Sequence, residues 1–270
     1  MSPATVSGLW IYPVKSCRGV AVKEMQIGPT GPMHDREWMI VDQDNNFLTL
    51  RNVAELSQIK TALQGPFLHL YLGNNKILID TRIESEQIET VTVWKDSFLV
   101  GVATKDINEA LSDFLCKTVK LVRYQKQSFR DLGAAGTAAV KQVKFADSRP
   151  VLLTSEDSLK ELNTHLNAQG LAPIHIERFR SNIIISGLPA YAEDKFEKIK
   201  AGEITLQNPR LCTRCVVITQ DVENGKVTSK NILKILANTH QVEGSKVTFG
   251  LNLTPQNLGT IRLNDKVQIL

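Results

Sequence analysis

Two cysteines carry the most reactive chemistry in this chain. They lie in Arg210-Leu211-Cys212-Thr213-Arg214-Cys215, a C-x-x-C flanked and interrupted by arginine. Permanent positive charge beside a thiol favours the thiolate, the form that attacks electrophiles and ligates metals. The residues alone leave several roles open. A thioredoxin-type redox pair is expected to open a helix, whereas Val216-Val217-Ile218-Thr219 reads as a short buried strand, and Asn224-Gly225 as the tight turn that closes a hairpin. A structural zinc site needs two further ligands, and neither Cys17 and Cys116 nor the five histidines show a paired spacing. A disulfide belongs to oxidising compartments. Two inert thiols in a packed loop are the plainest alternative, since free cysteine is often simply buried. The arginines weigh against it, because an apolar pocket has no need of them. A soft thiolate suits a soft or high-valent metal centre.

Other basic loops surround this motif. Pro13-Val14-Lys15-Ser16-Cys17-Arg18-Gly19 is either a solvated turn or an anion-binding loop in which Lys15, Ser16 and backbone N–H groups meet a phosphate. In His34-Asp35-Arg36, Arg36 is a partner for Asp35 or a ligand clamp. Glu177-Arg178-Phe179-Arg180-Ser181-Asn182 precedes the buried run Ile183-Ile184-Ile185. If that segment is extended, Arg178 and Arg180 share one face, a cationic wall with Asn182 as an amide reader. The alternative is one core-covering arginine and one solvated arginine. Thr154 or Ser155 caps a helix after the strand Val151-Leu152-Leu153, and such a junction also presents N–H groups to phosphate.

The elements that must position these residues are mostly short strands. Ser7 to Val14, Trp38 to Val41, Phe47 to Leu50, Phe67 to Leu72, Lys76 to Asp80, Glu89 to Trp94 and Phe98 to Ala103 alternate or run apolar, separated by turn signals such as Gly73-Asn74-Asn75. Close spacing of short strands predicts a sheet curled into a barrel or sandwich. A helix opens at Thr104 or Asp106, with Ile107, Ala110, Leu111, Phe114 and Leu115 on one face. Strands follow at Lys120 to Tyr124, Gly202 to Leu206 and Phe249 to Leu253, with a short helix at Asn231 to Leu236 and strand material from Gly259 to Val267. Arg130 to Val140 is Gly/Ala-rich and unpatterned, so a mobile loop is expected there, lying over a ligand if ordered.

Composition sets bounds. The chain has 270 residues, 42% hydrophobic and 22% charged, as an ordinary globular protein with ample core would. A net charge of +4 does not call for nucleic acid, though local clusters can hold an anion. No apolar run approaches the roughly 20 residues that span a bilayer. Met1 to Val6 shows no basic segment leading into an apolar one, so no signal peptide is expected and the expected location is cytoplasmic.

Five separated motifs, taken together, resemble the MOSC family. They are Pro13 to Gly19, His34-Asp35-Arg36-Glu37-Trp38-Met39, Arg178 to Asn182, Cys212 to Cys215, and Gly259-Thr260-Ile261-Arg262. More narrowly, they resemble the amidoxime-reducing components and their bacterial relatives. The chain differs in having Ser181 where proline is usual and Thr213 where serine is usual. The resemblance implies an α/β, β-rich fold. An N-terminal β-barrel unit, residues 1–119, would pack on a MOSC-type β-barrel with peripheral helices, residues 120–270. It implies a molybdenum cofactor, Mo-molybdopterin, with Cys215 as the catalytic residue and metal ligand. Lys15, Ser16, Arg36, Thr154, Ser155, Arg180, Ser181, Asn182 and Arg214 would bind the pterin, its phosphate and the dithiolene charge. The implied reaction reduces small N-hydroxylated substrates (amidoximes, hydroxylamines, nucleobase analogues) to amines, a detoxification.

Two other functions compete. One is a cofactor-binding or sulfur-carrier protein without redox turnover, as in the C-terminal part of molybdenum cofactor sulfurases. The other is a binding barrel for small molecules or nucleic acid. If the chain is a reductase, its electrons are expected from a separate ferredoxin, haem or flavin protein. It has no dinucleotide-binding glycine fingerprint, and no cysteine follows Cys215 to hold an iron–sulfur cluster.

Overall fold

The computed structural model describes residues 4–240 and 246–270. Its centre is an eight-stranded sheet. The order is Val267–Ile269, Ile199–Ala201, Ile204–Thr213, Thr248–Pro255, Val151–Ser155, Ile183–Ser186, Thr5–Ile11 and Val20–Ala21. Val151–Ser155 and Ile183–Ser186 are apolar, almost wholly buried strands in mid-sheet, and they pair parallel, with Leu153 opposite Ile183. Parallel pairing needs a long crossover. The helix Glu156–Ala168 supplies it, and Ser155 starts that helix by accepting hydrogen bonds from the N–H groups of Asp157 and Ser158.

Three smaller sheets complete the fold. One orders Trp38–Asp42, Val119–Arg123, Asp96–Val102 and Ile88–Val93; another orders Lys60–Gln64, Phe67–Leu72 and Asn75–Asp80. The third joins Gly259–Arg262 to Glu24–Gly28 and Gly31–Pro32. The result is a β-rich chain with few helices, its sheets curled around apolar interiors. The two halves share strands, however. Thr5–Ile11 pairs with Ile183–Ser186, and Glu24–Gly28 with Gly259–Arg262. Leu9, Ile11, Met25 and Ile27 are therefore buried in one core with Val151, Ile183, Leu206 and Leu253. Residues 119 and 120, expected to separate two domains, lie inside the strand Val119–Arg123, which pairs with Trp38–Asp42.

Most expected strands form within a few residues of their predicted bounds, as does the helix Lys105–Leu115; the helix expected to end at Leu236 runs on to Thr239, and the strand expected to end at Leu206 runs on to Thr213. Four local expectations fail. Val216–Thr219 is a turn of 3-10 helix with Cys215 as its N-cap, because only Ile218 and Thr219 find a buried environment while Val216 stays exposed. Phe47 to Leu50 makes only a bridge, from Phe47 to Val41. The Arg178-Phe179-Arg180 segment is not extended: Ile176–Phe179 is 3-10 helix, capped by Arg180 at φ 56. Finally, residues 130–140 are packed, not loose. The Arg130 guanidinium donates to the Lys144 and Ala146 carbonyls and pairs with Asp96, and Val140 is fully buried.

Candidate functional site

The basic loops and the cysteine motif meet in one cleft of about 420 Å³, a size that takes a cofactor or a small ligand. Lys15, Ser16, Arg36, Arg180, Asn182, Arg214, Cys212 and Cys215 all line it. Thr154, Ser155 and Ser181 do not. Thr154 and Ser155 have no exposed surface; the Thr154 hydroxyl donates to the Ser181 hydroxyl at 2.8 Å, and the Ser155 hydroxyl is spent as the helix cap. Their hydroxyls are engaged inside the protein and not in the cleft.

An aspartate behind the cleft organises one wall. Asp35, 3% exposed, accepts from the Tyr12 N–H at 2.9 Å, from Asn182 Nδ2 at 3.0 Å and from Arg36 Nη1 at 2.7 and 2.8 Å. Arg36 also donates to Asn182 Oδ1 at 2.9 Å and to the Arg180 carbonyl at 2.7 Å. Arg36 is thus both the structural partner of Asp35 and a lining residue. The Asn182 carboxamide is fully engaged, since Oδ1 also accepts from the Leu152 N–H and Nδ2 also donates to the Trp10 carbonyl. It cannot act as a free amide reader, and its job is to join Asp35, Arg36 and two strands. Lys15 is likewise occupied. It is 5% exposed, paired with Asp147 and donating to the Phe145 carbonyl at 2.8 Å. Burial lowers the Lys15 pKa, with Asp147 opposing that shift. Burial raises that of Asp147, but the Lys15 charge and hydrogen bond outweigh it and hold the carboxyl at about 2.

Other cations in the cleft lack such partners. Arg180 lies over the Tyr12 ring at 4.4 Å, as Arg36 does at 4.5 Å, yet its Nη2 is buried with no hydrogen-bond partner among the described residues. Burial lowers the Arg180 pKa, so its charge is held at a cost. Arg214 donates from Nε to the Phe249 carbonyl and from Nη1 to the Phe179 carbonyl, at 2.9 and 3.0 Å, while its Nη2 is buried and unpartnered among the described residues. These bonds clamp the cysteine loop onto Phe179 and Phe249, whose rings stack with centroids 4.0 Å apart. Such a stack is worth about 0.5–1.5 kcal/mol beyond area burial. Cys215 therefore sits on a fixed turn even though no strand follows it.

Several lining residues escaped the sequence reading. Arg149 has a buried Nε without a partner among the described residues, and burial plus the nearby Arg210 lowers its pKa. Arg51 enters from the turn after Leu50, Trp94 from the turn between the strands Ile88–Val93 and Asp96–Val102, and Ser148 from the turn before Val151–Ser155. Counting Arg36, Arg51, Arg149, Arg178, Arg180, Arg210 and Arg214, the cleft is lined by seven arginines and one lysine against one carboxylate, Asp147. The Ser16 hydroxyl has no hydrogen bond among the described residues, and its backbone takes φ 69, which turns it into the cleft loop. An anion with several oxygens is the ligand chemistry this lining asks for. No group of three or more His, Cys, Asp or Glu among the described residues is arranged to hold a metal ion.

Comparison with known proteins agrees with this geometry. Residues 3–118 match the MOSC N-terminal beta barrel domain and residues 140–268 match the MOSC domain. The human mitochondrial amidoxime-reducing component 1 is 30% identical over 285 residues, covering 98% of this chain and 83% of that protein. The chain belongs to the MOSC family. Among its MOSC relatives, the rat mitochondrial amidoxime reducing component 2 is 28% identical, over 97% of this chain and 82% of that protein. The molybdenum cofactor sulfurase of rice (Oryza sativa subsp. japonica) is 29% identical over 96% of this chain, which corresponds to 33% of that longer protein.

Proposed function

We propose that this MOSC protein holds a molybdenum cofactor in the cleft and reduces N-hydroxylated compounds to amines. The observation that carries the reading is the set of buried guanidinium nitrogens on Arg149, Arg180 and Arg214 that have no partner among the described residues, in the same cleft as Cys212 and Cys215. Orphaned buried donors are costly, about 1–3 kcal/mol each, unless a ligand completes them. The terminal phosphate and dithiolene of a pterin cofactor are anions of the right kind, and a thiolate is the one further ligand a molybdenum already carried on a dithiolene would take from the chain. The names of the amidoxime-reducing relatives support the reductase half of the reading.

When bound, the cofactor supplies a metal that can take up oxygen and exchange two electrons. The chain's own residues do the rest. Cys215 presents a sulfur whose position is set by the Arg214 clamp and the turn Val216–Thr219. Arg180, Arg149 and the Ser16 hydroxyl bind the anionic end. Asp35, Arg36 and Asn182 fix the wall from which Arg180 projects, and Lys15, paired with Asp147, lines the cleft beside them. The substrate N–OH consumes two electrons and two protons and yields an N–H and a water. A separate protein donates the electrons. No helix among the described residues is long and apolar enough to cross a membrane.

The rice sulfurase similarity keeps a second reading in play, a sulfur carrier with a persulfide on Cys215. Purification from a host that makes the cofactor tests both. The proposal expects near-stoichiometric molybdenum and pterin, and reduction of benzamidoxime with a dye-supplied electron source. Metal-free protein with a sulfur adduct on Cys215 by mass spectrometry would favour the carrier.

A further inference from the structure

Trp94 occupies a place that its residue type does not explain. Val93 pairs with Asp96, so Trp94 and Lys95 form a two-residue hairpin turn. Trp94 takes φ 60 there, a conformation natural to glycine and strained for a bulky side chain. Such strain persists where surrounding contacts hold it, and it clusters at functional sites. The side chain is 51% exposed, an unusual state for the largest apolar residue type, yet it lines the same cleft as Cys215. Three contacts fix it. The Phe47 ring meets it edge-on at 5.4 Å, the Arg51 guanidinium lies 5.0 Å from its ring centroid, and its indole N–H donates to Asp147 at 3.2 Å. Three contacts therefore hold the ring, while about half of the residue stays exposed at the edge of the cleft.

We infer that Trp94 is the substrate platform: planar, conjugated N-hydroxylated compounds stack on it while their N–OH reaches toward Cys215. This rests on the reductase reading. Stacking on a fixed aromatic rewards any flat π-system and tolerates different ring types. Charge narrows the class further. Arg51 and the Asp147 carboxylate both flank the ring, but the cleft as a whole carries eight cationic side chains against that one carboxylate, so uncharged or anionic planar compounds are admitted and planar cations are repelled. Amidoximes and N-hydroxylated nucleobases are planar and uncharged. The amidine formed from an amidoxime is much more basic and becomes a cation, so the same charge that admits substrate favours product release.

The test uses the full chain with its cofactor. Wild type, Trp94→Phe and Trp94→Ala are compared on benzamidoxime, which is planar, and on N-methylhydroxylamine, which has no ring. The kcat/KM ratio of the planar to the ringless substrate should fall about tenfold in Trp94→Ala, through KM, and stay within about twofold in Trp94→Phe. The dissociation constant of benzamidoxime from the oxidised protein, measured by calorimetry, should rise about tenfold in Trp94→Ala alone. Benzamidine should bind more weakly than benzamidoxime. An unchanged ratio in Trp94→Ala overturns the proposal. So does equal impairment in Trp94→Phe, which would assign the effect to the lost hydrogen bond to Asp147. Tighter binding of benzamidine overturns the charge assignment. If wild-type protein binds benzamidoxime with this Trp94 dependence but reduces nothing, the reductase reading fails and the platform stands.

Discussion

Arg36 and Arg180 stand over the same tyrosine ring but answer to different demands, and replacing each by methionine should separate them. Arg36 spends both terminal nitrogens inside the protein, on Asp35, Asn182 and the Arg180 carbonyl. Removing it strands the Asp35 carboxylate, whose side chain is 2% exposed, with only the Tyr12 N–H and the Asn182 amide. Breaking a buried ion pair from one side costs about 3–5 kcal/mol. Arg180 leaves a buried nitrogen unpartnered among the described residues. Removing that group relieves about 1–3 kcal/mol, while loss of its contact with the Tyr12 ring costs about 0.5–2 kcal/mol. The two nearly cancel. On a scale of roughly 2 °C per kcal/mol for a large domain, Arg36→Met should lower the Tm of cofactor-free protein by about 6–10 °C. Arg180→Met should leave it within about 4 °C. The cofactor-free protein comes from a host unable to make the pterin, and calorimetry reads the transition. Cofactor binding reverses the order of interest: Arg180→Met should lose it by tenfold or more, because a charge-assisted bond is worth about 1.5–3 kcal/mol. Equal Tm losses in both variants, or full cofactor loading of Arg180→Met, would refute the division of labour.

Other consequences follow from the placement of single groups. The Asp147 carboxyl is held at about 2, below its unfolded value of about 4, so its stabilising contribution is complete above pH 4 and is lost as pH falls through 2. The stability gap between wild type and Asp147→Asn in urea titrations should therefore be full from about pH 4 upward, narrow between pH 4 and 2, and close below about pH 2. Ser155→Ala removes a helix cap and should cost about 1 kcal/mol without changing molybdenum content. Thr154→Val, which breaks the bond to Ser181, should likewise lower the denaturation midpoint and leave metal loading intact, as metal analysis of the purified variants would report.

What the sequence made legible was the chemistry that residue type alone announces. Cationic loops at Lys15, Arg36, Arg180 and Arg214 do line one cleft with Cys215, although Lys15 and Arg36 are satisfied there by Asp147 and Asp35 and not by a ligand. Hydroxyl and amide roles were harder to read. Thr154, Ser155, Ser181 and Asn182 carry groups equally suited to a ligand or to the backbone, and in this fold internal partners claim them. Lys15 was foreseen at the cleft but not its Asp147 partner, more than a hundred positions away. The run Val216 to Thr219 looked like a strand because β-branched residues dominate it. The Arg214 clamp and the burial of only Ile218 and Thr219 turn it into a 3-10 turn instead, an override of local propensity by tertiary packing. Arg149, Arg51 and Trp94 went unnoticed although turn signals mark their loops. Trp94 had the most readable clue, a large aromatic at a hairpin turn where a small residue is usual. The sharing of strands between the halves, Thr5–Ile11 with Ile183–Ser186 above all, leaves no local trace, since pairing partners 180 positions apart share no pattern.

The central claim is that Cys215 supplies the chain's sulfur ligand to a molybdenum held in the arginine-lined cleft. X-ray absorption at the molybdenum edge of wild type, Cys212→Ser and Cys215→Ser counts sulfur neighbours directly. The account predicts three short-range sulfurs in wild type and in Cys212→Ser, two from a dithiolene and one from Cys215, and the loss of one in Cys215→Ser. An unchanged sulfur count in Cys215→Ser, or the loss of a sulfur in Cys212→Ser instead, would contradict it.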